Sequence, residues 1–180
     1  MKTPIIIISV VVLVVAGWLL ISNTGQHQNM NSNGNIPGES VRFERAPDFA
    51  LQDYNGKTVR LADFSGKPMV INSWAAWCPF CRKELVDFAT VQKELGDRVA
   101  IIAVDRAESR ETAKKYTDEL GVTNDLIFLL DPSDSFYQSI GGFSMPETIF
   151  VDKNGNIVER KRGPMDVQEI REKVRKLLST

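Results

Sequence analysis

The stretch WAAWCPFCRKE, Trp74 to Glu84, holds both cysteines of the chain, two residues apart and just after a Trp. Such a pair serves as a redox centre, as half of a metal site, or as two core thiols. The residues on either side decide between these. Upstream, KPMVINSW (67–74) is a short β-branched run and reads as a buried strand. Downstream, Pro79 suits a first helical turn, where its missing N–H loses nothing. In a helix over about 80–95, Cys81, Leu85, Phe88 and Leu95 fall on one side, with Val91 close by. This stripe faces the core, so Cys81 is expected to be buried.

Cys78 precedes that first turn and is expected to be exposed at the helix start. Unpaired backbone N–H groups and the positive dipole end stabilise an anion there. A thiolate so placed has a lowered pKa and becomes the attacking group. The spacing lets the two thiols meet across one turn, with Cys78 as exposed nucleophile and Cys81 as shielded resolving thiol. A zinc half-site needs two further ligands, and the chain offers no other Cys and a single His, His27. Zinc therefore requires dimerisation. Two inert core thiols do not explain a Cys at an exposed helix start. A peroxidatic cysteine expects Pro seven residues earlier and Thr or Ser three earlier. Those positions hold Ile71 and Ala75 before Cys78, and Trp74 and Cys78 before Cys81. A dithiol–disulfide centre fits best.

Working outward, PDFALQDYNGKTVRLADF (47–64) alternates apolar and polar residues around Asn55-Gly56, a β-hairpin signal. RVAIIAVD (98–105) and DLIFLLD (125–131) read as two further buried strands, with a helix over about 109–120 between them. ETIFVDKNGNIVERK (147–161) is a second hairpin with its own Asn-Gly turn. MDVQEIREKVRKLL (165–178) is an amphipathic helix with Val167, Ile170, Val174, Leu177 and Leu178 on one face. This succession predicts an α/β fold with a mixed sheet flanked by helices.

The amino-terminal part differs in character. After Lys2, residues 5–21 (IIIISVVVLVVAGWLLI) are apolar without a charge, at the short end of what spans a bilayer as a helix. The residues that follow contain no Ala-x-Ala-like cleavage site and no lipidation cysteine, so the segment reads as an uncleaved transmembrane anchor; a cleaved signal peptide is the alternative. Residues 1–4 are then the cytoplasmic N-terminus, because the next basic residue is Arg42. Residues 22–45, rich in Asn, Gln, Gly and Ser, read as a flexible tether reaching roughly 25–30 Å. His27 lies in that tether and is expected to be merely solvated. Residues 46–180 form the folded domain, in an extracytoplasmic compartment where disulfides persist. The 180 residues carry 22 basic and 23 acidic side chains, so no global field favours nucleic acid.

NSWAAWCPFC (72–81) after a strand, APDF (46–49) upstream and MPETIFVDKNG (145–155) downstream together resemble thioredoxin-fold proteins. The closer resemblance is to the membrane-anchored TlpA/ResA/CcmG group of extracytoplasmic thiol–disulfide oxidoreductases, over about residues 46–178. The Pro-Glu-Thr element is similar to that of the cytochrome c maturation reductases. The resemblance implies a thioredoxin-like fold, with Cys78 attacking, Cys81 resolving and a Cys78–Cys81 disulfide between them. It implies that Pro146 is cis and faces the disulfide, leaving the Met145 backbone free to pair with an extended substrate. It also implies that Glu84 exchanges the resolving thiol's proton, and that Trp77 packs beside Cys78 and shapes the recognition surface. For Glu84 the other reading is a solvated helix-surface residue, for Trp77 a core residue, and for Pro146 an ordinary turn proline.

Two positions depart from the family pattern. Thioredoxins proper carry a buried Asp six residues before the first cysteine, where this chain has Asn72. The segment SIGGFSM (139–145) lacks the usual Val-x-Gly spacing. The function expected from the resemblance is reduction of protein disulfides such as those of apocytochrome c. A membrane electron donor recharges the pair, no cofactor beyond the disulfide is needed, and the chain acts as a monomer. Oxidant or isomerase activity, a thiol peroxidase and a non-catalytic tethered binding module are the alternatives.

Overall fold

The computed structural model describes residues 44–180. The expected anchor (5–21), residues 22–43 of the tether and His27 lie outside the described residues. Glu44 and Arg45, expected at the end of the tether, already pair with the domain. Ile157 N–H donates to Glu44 O (2.7 Å), and Arg45 bridges Asn156. Among the described residues no helix is long and apolar enough to cross a membrane.

The first predicted hairpin is β1 (Ala50–Asp53) paired antiparallel with β2 (Thr58–Arg60). Gly56 supplies the positive φ of 81° that the turn requires. Next come β3 (Met69–Trp74), α1 (Cys81–Leu95), β4 (Ala100–Arg106), α2 (Arg110–Leu120) and β5 (Ile127–Asp131). A short α3 (Ser135–Ser139) precedes the second hairpin, β6 (Glu147–Val151) and β7 (Ile157–Arg162), and α4 (Val167–Leu178) follows it. The sheet order is β2-β1-β5-β4-β3-β6-β7. Its centre is parallel, β3 with β4 and β4 with β5, and the remaining pairs are antiparallel. The parallel pairs are the two β-helix-β units that the strand and helix alternation predicts.

Chain-local chemistry sets the helix limits. The Ser109 hydroxyl accepts the Thr112 N–H at 3.1 Å, and Gly121 closes α2 in the left-handed region. Asp166 caps α4 by accepting the Gln168 and Glu169 N–H groups. The short α3 was not legible as a periodic stripe. It is built by Asp131, whose carboxylate accepts the Ser135 and Phe136 N–H groups at 3.0 and 2.8 Å.

One side of the sheet packs against residues of α1, α2 and α4, including Leu85, Phe88, Ala113, Ile170 and Val174. The other packs Ile71, Ile102, Leu129 and Ile149 against Phe49 and α3's Phe136. The stripe expected on α1 is buried except for the half-buried Leu95, and α1 begins at Cys81, two residues beyond Pro79. The site therefore lies where β3 leaves the sheet and α1 begins.

Candidate active site

β3 delivers the chain into a tight turn at Ala75–Cys78, closed by Cys78 N–H donating to Ala75 O at 3.1 Å. Cys78 and Cys81 are joined as a disulfide, with Cα atoms 5.4 Å apart. The Cys81 N–H donates to Cys78 Sγ at 3.2 Å. An amide of the helix start, shared with Cys78 O at 3.3 Å, thus points at the first sulfur.

The expected exposure of Cys78 is not what the fold produces. Cys78 is 1% exposed, and it belongs to the same core cluster as Trp74, Ala75 and Cys81. The bond to buried Cys81 turns the first sulfur inward, and the flanking side chains take the surface instead. Trp77 and Phe80 are each 61% exposed, and Phe143 is 81% exposed. Trp77 is therefore no core residue.

Glu84 is no solvated surface residue either. It sits in the first turn of α1, 1% exposed. Its Oε2 accepts from Asn72 Nδ2 (3.0 Å) and its Oε1 from the Met165 N–H (2.8 Å). Burial pushes its carboxyl up to about 7, against the downward pull of those two hydrogen bonds. Asn72 also donates to Thr148 Oγ1 at 2.9 Å, so one amide links β3, α1 and β6. The Asn at the family's Asp position thus serves as a donor to the carboxyl that stands on α1.

The Met145–Pro146 peptide is cis. Pro146 is buried, and half-buried Met145 packs against the cluster that contains the cysteines. Glu147 fixes this loop from beneath: its buried Oε2 accepts the Phe143 and Ser144 N–H groups at 2.8 and 3.1 Å. The Tyr137 hydroxyl donates to Ser144 O at 2.9 Å, and Gly163 N–H to Pro146 O at 3.0 Å. Met145 itself makes no backbone hydrogen bond among the described residues.

A third buried acid was missed in the sequence. Asp105, at the end of β4, is fully buried on the same side of the sheet as Trp74, its register partner. Burial, then the neighbouring Glu108, push its carboxyl up to about 8. Glu108 in turn accepts the Ala76 N–H at 2.7 Å. The available signal was a carboxylate closing an apolar strand, VAIIAVD. Among the described residues no group of three or more His, Cys, Asp or Glu is arranged to hold a metal ion.

The Redoxin family model matches residues 43–178. The thioredoxin-like protein YneN of Bacillus subtilis is 33% identical over 132 residues, 73% of this chain and 77% of that protein. The thiol-disulfide oxidoreductase ResA of Geobacillus thermodenitrificans is 30% identical over 130 residues, 71% of this chain and 72% of that one. Among solved structures, the exposed lipoprotein thioredoxin Etrx1 of Streptococcus pneumoniae superposes with a TM-score of 0.66 at 32% identity, covering 73% of this chain and 100% of that one. A thiol:disulfide interchange protein DsbE structure from Chlorobium tepidum, at 24% identity and a TM-score of 0.70, covers 76% of this chain and 97% of that one and shares the fold. With a disulfide seated at the start of a helix, a cis proline in the loop before β6 and these relatives, the chain belongs to the Redoxin family and is a ResA-like, thioredoxin-fold thiol–disulfide oxidoreductase.

Proposed function

We propose that this oxidoreductase works as an extracytoplasmic reductant of protein disulfides, of the cytochrome c maturation type. The segment 5–21 anchors it, and a membrane carrier recharges it with electrons. In its reduced form the Cys78 thiolate attacks a partner disulfide, giving a mixed disulfide and releasing one partner thiolate. Cys81 then loses its proton and attacks Cys78 Sγ, which frees the second partner sulfur. The partner disulfide gains two electrons and becomes two thiols, while the Cys78–Cys81 pair becomes a disulfide. Glu84 stands one helical turn from Cys81, and a carboxyl near 7 can take up and return the Cys81 proton at neutral pH. Met145, with its unpaired backbone beside Pro146, and exposed Trp77 form the surface on which an extended substrate segment lies. No cofactor beyond the disulfide enters the scheme.

The observation that carries the direction is the charge around the pair. A strong oxidant stabilises its reduced form, that is, its thiolate. Here the amide on Cys78 Sγ is accompanied by acids around the turn: buried Glu84 in the first turn of α1, buried Asp105 at the end of β4, and Glu108, which accepts the Ala76 N–H. Wherever these acids are ionised they oppose a thiolate, and that favours the disulfide over the dithiol and makes the dithiol a good electron donor. The test is the reduction potential of the Cys78–Cys81 pair in the full-length chain. A value towards the thioredoxin end, about −270 mV, is expected; one near about −120 mV would overturn the reductant reading.

A further inference from the structure

Ala76 lies in the turn that carries Cys78, and its N–H is taken up by a side chain rather than by the turn's own backbone. The group that receives it comes from far along the chain: Glu108 Oε2, at 2.7 Å. Glu108 is held in its own place, because its backbone N–H donates to Asp105 Oδ2 at 3.3 Å, at the end of β4. Asp105 is anchored in turn by its register position beside Trp74, the last residue before the turn. The result is a closed circuit, Trp74 to Asp105 across the sheet, Asp105 to Glu108 along the chain, and Glu108 back to Ala76. The hydrogen bond from Cys78 N–H to Ala75 O ties Cys78 to that circuit at Ala75. Nothing in packing alone calls for a carboxylate at this point, since Ala76 offers a single amide.

We infer that Glu108 is a positioning residue for the redox reaction: by clamping the Ala76 N–H it fixes the turn so that Cys78 Sγ stays opposite the Cys81 N–H. A clamp on the turn acts on the thiolate through that 3.2 Å contact. Loss of the clamp lets the turn shift, and the thiolate then spends time away from its one amide donor. The inference rests on Cys78 being the attacking sulfur; the hydrogen exchange of Ala76 does not depend on that reading.

The experiment compares Glu108→Gln with Glu108→Ala in the reduced, full-length chain. Both variants remove the charge, so its effect on the thiolate is common to the two. Gln keeps a carbonyl oxygen that reaches Ala76, and Ala does not. The Ala76 amide is expected to exchange about tenfold faster in Glu108→Ala and near the parent rate in Glu108→Gln. The alkylation midpoint of Cys78 against pH is expected about half a pH unit or more higher in Glu108→Ala than in Glu108→Gln. Unchanged Ala76 exchange in Glu108→Ala overturns the clamp. Altered exchange with equal Cys78 midpoints leaves a clamp without influence on the thiolate and overturns the positioning role. Should Glu108→Ala fail to fold, Glu108→Ser, neutral and too short to reach the amide, takes its place with the same criteria.

Discussion

The two ends of the central sheet are built differently. At one end, Val70 and Ile71 of β3, Ile101 and Ile102 of β4 and Phe150 of β6 are hydrocarbon on both faces and fully or almost fully buried. At the other end the same strands carry Asn72, Ser73, Asp105, Glu147 and Thr148, also buried. Among the described residues, five buried side-chain atoms lack a hydrogen-bond partner: Asn72 Oδ1, Ser73 Oγ, Trp74 Nε1, Asp105 Oδ1 and Glu147 Oε1. All five lie at this second end. Burying such groups costs free energy that the apolar end has to offset. The polar end is also where the disulfide and the cis proline meet the sheet. Stability comes mainly from one end, and chemistry is placed at the other, where local rules of good packing are broken.

The contrast can be broken most severely from the apolar side. Phe88 of α1 is fully buried against the sheet. Phe88→Ala is expected to cost about 3–5 kcal/mol by chemical denaturation, without changing the chemistry of the pair in the fraction that remains folded. A loss below about 1 kcal/mol would mean that this end does not carry the fold.

The polar end is sharpened by pH. Glu84 titrates near 7 in the fold against 4.5 when unperturbed, so between these values the folded chain holds a proton that the unfolded chain has released. Stability therefore falls as pH rises through that window, by roughly 3 kcal/mol from this group. Asp105, pushed to about 8, adds a slope of the same sign that reaches higher pH. In Glu84→Gln the Glu84 part of the slope disappears, while a Gln oxygen can still accept the Met165 N–H. Denaturation midpoints from pH 4.5 to 8 read this directly. An unchanged slope in Glu84→Gln would show that the buried carboxyl does not titrate there.

How much of this was legible follows from the range of each interaction. Both hairpins announced themselves through Asn55-Gly56 and Asn154-Gly155, because a short turn is written locally, here as three-residue loops closed between Asp53 and Lys57 and between Asp152 and Asn156. The stripe Cys81–Leu85–Phe88 fixed the buried side of α1 for the same reason, and WCPFC with MPET located the pair and the cis proline. Cys78 was misjudged because exposure depends on where the sulfur turns once bonded, which no spacing encodes. Glu84 was left between two readings, since its partners Asn72 and Met165 are 12 and 81 residues away. Glu108 escaped notice entirely: its partner is a backbone amide 32 residues earlier, and a backbone amide has no sequence signature. The short α3 was missed because five residues are too few to show a period, and the Asp131 side chain that nucleates it belongs to a strand.

The central claim is that the helix start makes Cys78 the attacking sulfur and Cys81 the resolving one. It is tested most directly by trapping, with the full-length reduced chain and a disulfide-bonded model protein. Cys81→Ala is predicted to accumulate a mixed disulfide through Cys78, and Cys78→Ala is predicted to accumulate none through Cys81. Equal adduct through Cys81 in Cys78→Ala, or no adduct in Cys81→Ala, would contradict the account.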